Sequence, residues 1–380
     1  MSNFGIYIHI PFCKKKCKYC DFISFENCNE DVKEKYTECL IKEIENVTIT
    51  EKQICNTIYF GGGTPSILKV DEIKKILNAI NKRFNVAQNA EITIEINPGT
   101  VDIIKLQKYK EIGFNRISIG LQSTKNQLLE LLGRIHTYED FKEVYQNARN
   151  IGFTNINVDL MLGLPTQSMQ DLEKSLKEII NLNPEHISLY SLILEEGTEL
   201  ERLVSTGKLK MISEDVERKM YWETKKILEK NGYDHYEISN FSKKGFESKH
   251  NLSCWNQEEY FGFGLSAHSY INKTRFSNTD NLKNYINNIE NNNFDKNKII
   301  HEKNQSFENQ AKEYMMLGLR KIDGVSISDF EQKFNINPLF YFRFEISKLD
   351  KKGLIEVDLD NIKLTKKGLD FANLAFEEFL

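Results

Sequence analysis

Six short runs rich in Ile, Val, Thr or Tyr, at 5–10, 57–60, 91–96, 116–122, 155–162 and 186–192, are each followed by a segment with helical spacing. Runs of that composition suit buried strands. Between them, apolar residues recur three and four apart, as in Tyr36, Leu40, Ile44 and Val47, or Ile73, Ile76, Leu77 and Ile80. Asp71 and Ser168 stand where helix N-caps are expected. Six strand–helix units in succession predict an α/β fold with a parallel sheet and right-handed crossovers. An open six-stranded barrel and a doubly wound sheet both satisfy the pattern, and the pattern alone does not choose between them.

Beyond a helix expected over 214–230 the rhythm breaks. Residues 236–270 are dense in Gly, His, aromatic and polar side chains, which suits a segment lining a site. The asparagine-heavy stretch 278–297 reads as a helix-poor surface connection. From residue 301 a smaller unit is expected: helices around 308–319, 326–334 and 338–352, a hairpin over 354–364 and a terminal helix, a winged-helix-like arrangement. The domains expected are therefore 1–235, 236–300 and 301–380. A winged helix suggests DNA, but the last unit carries 12 Lys and Arg against 14 Asp and Glu. The charge needed to hold phosphates is missing, so the unit reads as structural or partner-facing. Over the whole chain 51 basic residues nearly cancel 55 acidic ones, which argues against a nucleic-acid partner. No apolar run reaches the roughly 18 residues of a membrane span. The first residues lack the layout of a signal peptide, and a cytoplasmic location with reduced thiols is expected. The seven cysteines then read as metal ligands or free thiols.

The strongest local signal is Cys13-Lys14-Lys15-Lys16-Cys17-Lys18-Tyr19-Cys20, directly after the first strand. Three thiolates this close can bind three corners of a 4Fe-4S cluster and leave the fourth iron without a protein ligand. Electron-transfer cubes take four cysteines, whereas a site with an open position is the catalytic arrangement. An open iron can hold the amino and carboxylate groups of S-adenosylmethionine (SAM) and pass an electron to its sulfonium. The alternative is a structural zinc site completed by His9 or Cys28, although zinc modules usually set their ligands in separated pairs.

The segment Tyr7-Ile8-His9-Ile10-Pro11-Phe12-Cys13 through Cys20-Asp21-Phe22 resembles the cluster loop of the radical SAM superfamily. Within it, the chain is similar to the group holding oxygen-independent coproporphyrinogen III oxidase and the HemW heme chaperones, over nearly its whole length. The resemblance implies an open (β/α)6 partial barrel. It assigns Cys13, Cys17 and Cys20 to the cluster. It places the amino-acid end of SAM at Gly62, Gly63 and Thr64, within Phe60-Gly61-Gly62-Gly63-Thr64-Pro65, where glycines admit close backbone approach and exposed amides can receive a carboxylate. Further SAM contacts are implied at Glu95, Gln122, Arg134 and Asp159, with Tyr7 and Tyr19 beside them. Most of these stand at strand ends, where parallel barrels carry their reactive groups. Arg134 and Asp159, taken as residues, equally suit a structural ion pair. His136 reads as a satisfied packing histidine.

Two details separate the relatives. The oxidase pattern has a further cysteine two residues beyond the third, where this chain has Phe22. The chaperones carry His-Asn-x-x-Tyr-Trp, matched here by His250-Asn251-Leu252-Ser253-Cys254-Trp255, with Cys254 in place of the Tyr. Imidazole is an axial ligand for heme iron, so the resemblance makes His250 a heme ligand, with Trp255 able to flank the macrocycle. His268 is a second candidate with a bland structural reading beside it. Cys28, Cys39, Cys55 and Cys254 read as small apolar fillers or free thiols.

A heme chaperone using a 4Fe-4S cluster, SAM and heme is thus expected, passing heme to an acceptor that the resemblance implies is a respiratory hemoprotein. Lys14, Lys15, Lys16 and Lys18 form either a solvated face or a docking patch for an acidic flavodoxin-like or ferredoxin-like electron donor. The alternative function is coproporphyrinogen III dehydrogenation in porphyrin biosynthesis, against which Phe22 and the His250 segment argue. A redox-sensing nucleic-acid reader is the third reading.

Overall fold

The computed structural model describes residues 3–49 and 53–380. The six expected strands form as β1 (Asn3–Ile10), β2 (Ile54–Gly62), β3 (Val86–Ile96), β4 (Arg116–Gln122), β5 (Ile156–Leu162) and β6 (His186–Ser191). They lie side by side in chain order, all parallel. A doubly wound sheet reverses its strand order at a switch point. No reversal occurs here, so the units wind in one direction and the sheet curls into a barrel. The crossovers run through α1 (Glu30–Asn46), α2 (Val70–Arg83), α3 (Ile103–Glu111), α4 (Tyr138–Ile151) and α5 (Met169–Leu182), and α6 (Glu214–Lys230) follows β6.

The barrel stays open because neither edge meets the other. Beyond β6 the chain adds β7 (Asp234–Glu237) and β8 (Asn240–Ser242), antiparallel to β6 through β8. Beyond β1 lies β9 (Glu259–Phe263), a seventh parallel strand, followed by β10 (His268–Ile271), β11 (Thr274–Asn278) and β12 (Lys298–Glu302) in antiparallel order. The region where the strand–helix rhythm breaks therefore still builds sheet, on both flanks of the barrel.

Alternation along the strands gives the barrel two chemically different faces. Ile6, Ile8, Ile58, Phe60, Ile94, Ile117, Ile119, Val158, Leu160 and Ile187 point outward into one core with the helices, each such side chain contributing roughly 2 kcal/mol on burial. Their neighbours Tyr59, Glu95, Arg116, Ser118, Asn157, Asp159, Ser188 and Tyr190 face inward around a cavity.

A short helix, α7 (Lys249–Trp255), sits against the lower half of that inner face. Ser248 caps it, and the Glu91 carboxylate of β3 accepts from Lys249 N and His250 N at 3.3 Å each. A carboxylate at a helix N-terminus opposes the positive end of the dipole.

The C-terminal unit has its own core around Phe330, Phe334, Phe342, Leu349 and Ile362. Helices Phe307–Gly318, Ile327–Phe334 and Arg343–Lys351 pack with the hairpin Ile355–Val357 and Asn361–Leu364, to which Val325–Ser326 adds a third strand. The winged-helix-like pattern is present, with the third and last helices each broken once, at Phe342 and Phe371.

Two local expectations are corrected. The asparagine-rich stretch is not helix-poor: α8 (Leu282–Glu290) forms there, capped by the Asn281 side chain and anchored by buried Tyr285 and Ile289 one turn apart. Asparagine disfavours helix interiors but suits caps, and two buried anchors outweigh the propensity. Asp71 is not the cap of α2. Lys69 is the N-cap, and Glu72 Oε2 accepts from its N–H at 2.7 Å. Ser168 does cap α5, with Asp171 as its reciprocal partner.

Candidate functional site

The cavity inside the barrel has a volume of about 380 Å³, at the low end of the roughly 300–1,000 Å³ usual for small-molecule sites. Its rim is the loop after β1. Cys13, Cys17 and Cys20 all line it, all are free thiols, and backbone bonds from Lys18 N to Leu132 O (3.0 Å) and Leu200 N to Lys18 O (2.8 Å) pin the loop. Thr64 Oγ1 donates to Cys13 Sγ at 3.6 Å and Arg134 Nη1 to Cys17 Sγ at 3.4 Å. Burial raises the Cys13 thiol and pushes Cys20 up to about 11, so holding them as thiolates needs a cation in contact. Among the described residues no three His, Cys, Asp or Glu side chains converge on one ion-sized point. The three thiols share the cavity rim, where they would hold three corners of a cubane. His9 is no zinc ligand: its ring is buried, with Nδ1 3.1 Å from Tyr7 Oη and Nε2 3.1 Å from Ile23 O. Cys28 is half-buried and does not line the cavity.

The glycine turn after β2 lies beside the loop. Gly62 has φ +107°, and a Cβ there would meet the His9 ring at 2.6 Å; one on Gly63 would meet Phe12 O at 2.8 Å. Glycine is required by both the backbone and the space. The amides of Gly63 and Thr64 are not free to receive a carboxylate, because they donate to Ile10 O (2.9 Å) and Phe12 O (2.8 Å). That expectation is corrected: this turn offers a ligand its close backbone approach and the Thr64 side chain.

Glu95, Gln122, Arg134, Asp159 and Tyr19 line the same cavity. Glu95 accepts from Tyr59 Oη at 2.8 Å, and burial pushes its carboxyl up to about 7 against the opposing Tyr59 bond. Asp159 is also raised by burial, opposed by bonds from Asn157 Nδ2 (2.8 Å) and Ser118 Oγ (3.1 Å). Gln122 has φ +75°, a left-handed conformation that marks backbone strain in a non-glycine residue. Arg134 is bound to Asn97 Oδ1 and Gly120 O as well as to Cys17. It pairs with backbone, amide and thiol, and forms no ion pair with Asp159.

Tyr7 and His250 are not at the cavity wall. They pack together behind Tyr59: the His250 ring stacks on Tyr59 at 5.1 Å and lies 6.4 Å from Tyr7. His250 is 7% exposed, with Nδ1 2.9 Å from Thr57 Oγ1. Burial, then the charge of Arg116, lowers its imidazole to about 4. Gly5 makes room for it, since a Cβ there would come within 2.8 Å of Thr57 Oγ1 and 3.3 Å of His250 Nδ1. Trp255 faces the C-terminal unit, with the Arg320 guanidinium 4.3 Å above its ring. Cys254 is half-buried and its thiol is pushed up to about 12 by burial. His268 is exposed, outside the cavity, and stacks on His301 at 5.2 Å.

His136 corrects another expectation. It is buried at the cavity wall, neither ring nitrogen has a hydrogen-bond partner, and burial with Arg134 lowers it to about 3. Sequence reasoning also missed Tyr59, Arg116, Ser118, Asn157, Ser188, Tyr190 and Asn251, all of which line the cavity. The signal was there: in Arg116-Ile117-Ser118-Ile119-Gly120-Leu121-Gln122, apolar and polar residues alternate strictly. A chain of bonds also joins cavity to helix, from Asp159 through Asn157 to His186 (2.6 Å), on to Tyr236 Oη (2.7 Å), which accepts from Ser248 N at 3.2 Å.

The sequence profile of the Radical SAM superfamily matches residues 7–179, and that of the HemN C-terminal domain matches residues 306–371. Heme chaperone HemW of Bacillus subtilis is 40% identical over 98% of both chains. That of Lactococcus lactis is 37% identical over 98% of this chain and 96% of its own, and that of Escherichia coli 37% identical over 70% of each. Among solved structures, the coproporphyrinogen III oxidase (HemN) of Escherichia coli superposes with a TM-score of 0.84 at 24% identity, covering 100% of this chain and 90% of that one, so the two share a fold. With full-length identity at this level and both profiles in place, the chain belongs to the HemW family of the radical SAM superfamily.

Proposed function

We propose that this chain is a heme chaperone. It binds a 4Fe-4S cluster through Cys13, Cys17 and Cys20, SAM at the cavity rim and heme through His250, and passes the heme to an acceptor hemoprotein. The observation that carries this reading is the set of three thiols, with no fourth protein ligand among the described residues, opening onto a cavity lined by the expected SAM residues other than Tyr7. Full-length identity to heme chaperones supports it. When bound, the cluster supplies an electron for the SAM sulfonium.

The chain's own residues do the positioning. Arg134 steadies Cys17 and brings a positive charge to the rim, and Gly62 and Gly63 admit a ligand close to the backbone. Glu95, with its carboxyl near neutrality, can hold or release a proton beside Tyr59. Thr57 fixes the His250 ring through Nδ1 and leaves Nε2 as the ligating nitrogen, as partners of metal-bound histidines do. In this division, residues 1–235 hold cluster and SAM, 236–300 supply His250, and 301–380 face a partner. An acidic reductant would dock on Lys14, Lys15 and Lys16 at the cavity mouth. No helix among the described residues is long and apolar enough to cross a membrane, which accords with action in the cytoplasm.

The test is anaerobic reconstitution followed by heme titration of wild type and His250→Ala, with melting curves to confirm folding. The expected result is a shifted Soret band in the wild type and at least tenfold weaker binding in the variant. Equal spectra and affinities would remove His250 from the site. Conversion of coproporphyrinogen III to protoporphyrinogen by wild type with SAM and reductant would replace the chaperone reading with the dehydrogenase.

A further inference from the structure

Arg116 is a buried charge with no ion pair among the described residues. It begins β4, at the end of the strand opposite Gln122 and the cluster loop, six residues and so about 20 Å below the rim at 3.3 Å per residue. Its side chain is 2% exposed and lines the cavity. Its Nε has no hydrogen-bond partner. Of the partly buried arginines, Arg83 and Arg134 donate to backbone, amide or thiol acceptors, while Arg149 and Arg275 have carboxylate partners in Glu185 and Glu313. Arg116 forms no such pair among the described residues. Leaving a guanidinium buried without a partner is costly, and a folded chain can retain such a group where a ligand supplies the missing anion.

The surroundings define that anion. Glu95 and Asp159 feel the charge of Arg116 and burial raises both carboxyls, but neither forms an ion pair with the guanidinium. Ser118, Asn157 and Ser188 on the next strands are small, neutral hydrogen-bonding groups. A planar fork of N–H donors matches a carboxylate, and a singly charged carboxylate meets less repulsion from Glu95 and Asp159 than a phosphate would. Arg116 also lies close enough to His250 to depress its imidazole.

We propose that Arg116 is a carboxylate-binding residue at the floor of the cavity, and that the group it takes is a propionate of heme. The proposal rests on the heme-chaperone reading. The other carboxylate in reach of this site is that of SAM. Arg134 already touches the cluster ligand Cys17, so the amino-acid end of SAM belongs at the rim, a barrel's depth above Arg116.

The experiment compares hemin with hemin dimethyl ester, and SAM with decarboxylated SAM, on the reconstituted full chain as wild type, Arg116→Gln and Arg116→Lys. Heme is followed by Soret absorbance and SAM by EPR of the reduced cluster. Wild type is expected to bind hemin at least tenfold tighter than its diester. In Arg116→Gln that ratio falls toward one, in Arg116→Lys it is intermediate, and the ratio for the SAM pair is the same in all proteins. A wild type that does not distinguish hemin from the diester overturns the proposal without any variant having to fold. So does an Arg116→Gln protein that keeps the wild-type ratio. Loss of discrimination between SAM and its decarboxylated form in Arg116→Gln moves the site to SAM and overturns the propionate assignment. A wild type that binds no hemin brings down the chaperone reading, and this proposal with it.

Discussion

Two arginines face the same cavity from opposite levels. At the rim, half-buried Arg134 donates to Cys17, Asn97 and Gly120, and the loop around it is pinned by backbone bonds. On the floor, Arg116 forms no ion pair among the described residues, and its neighbours His186 and His250 are buried with lowered imidazoles. The rim is already satisfied by protein atoms and needs little rearrangement to take its ligand. The floor carries an electrostatic debt that only a ligand settles. A single barrel can therefore keep one prebuilt site and one incomplete site, provided they lie at different depths along the same strands.

The largest test of the contrast is at the rim. Cys17→Ser should abolish stable cluster assembly, with iron and sulfide after anaerobic reconstitution falling to near background. Melting temperature should move little, since Cys17 is only half-buried. A full cubane by Mössbauer spectroscopy in this variant would show that the rim is not a three-cysteine site.

A smaller effect is expected midway, at Glu95. Its folded pKa of about 7 lies above the unfolded value of 4.5, so the folded state binds the proton more tightly. The contribution of Glu95 to the stability of the cofactor-free protein should then be fully present below pH 4.5, fall as pH rises through 7, and level off above it. Glu95→Gln keeps the acceptor for Tyr59 but cannot ionise. It should be more stable than wild type by up to about 3 kcal/mol at pH 8 and no more stable at pH 4. Urea unfolding at the two pH values checks this, and an equal difference at both would show that Glu95 is not held near neutrality.

The smallest effect lies outside the cavity. Reversing the charge of Lys14, Lys15 and Lys16 to Glu should slow cluster reduction by an acidic flavodoxin-type donor about tenfold at low salt, with SAM affinity unchanged. Stopped-flow rates that do not respond to the reversal would leave these lysines as a solvated face.

Much of the rim was legible in the chain because its signals are local. Cys13, Cys17 and Cys20 stand within eight residues, and the glycine turn announces a tight approach that His9 and Phe12 then impose. The floor was harder to read. Arg116, Ser118, Asn157 and Ser188 were passed over because their strands were read as uniformly buried, although polar residues alternate with Ile and Val in them. His136 looked like ordinary packing and stands at the wall without a partner. The asparagine-rich stretch looked like a loop, and became a helix once Tyr285 and Ile289 found a core.

Sequence alone determined the strand–helix rhythm, the cysteine loop and the separate C-terminal unit, since these follow from neighbours a few residues apart. Only the tertiary structure decided that the units wind in one direction, that β9 extends the parallel sheet beside β1, and that α7 brings His250 behind Tyr59 within the field of Arg116. Those outcomes depend on strand order and register between segments more than a hundred residues apart, His250 against Thr57 among them, and on which face of each strand is enclosed. Local spacing separates the two faces of a strand but carries no information about strand order or about contacts between distant segments.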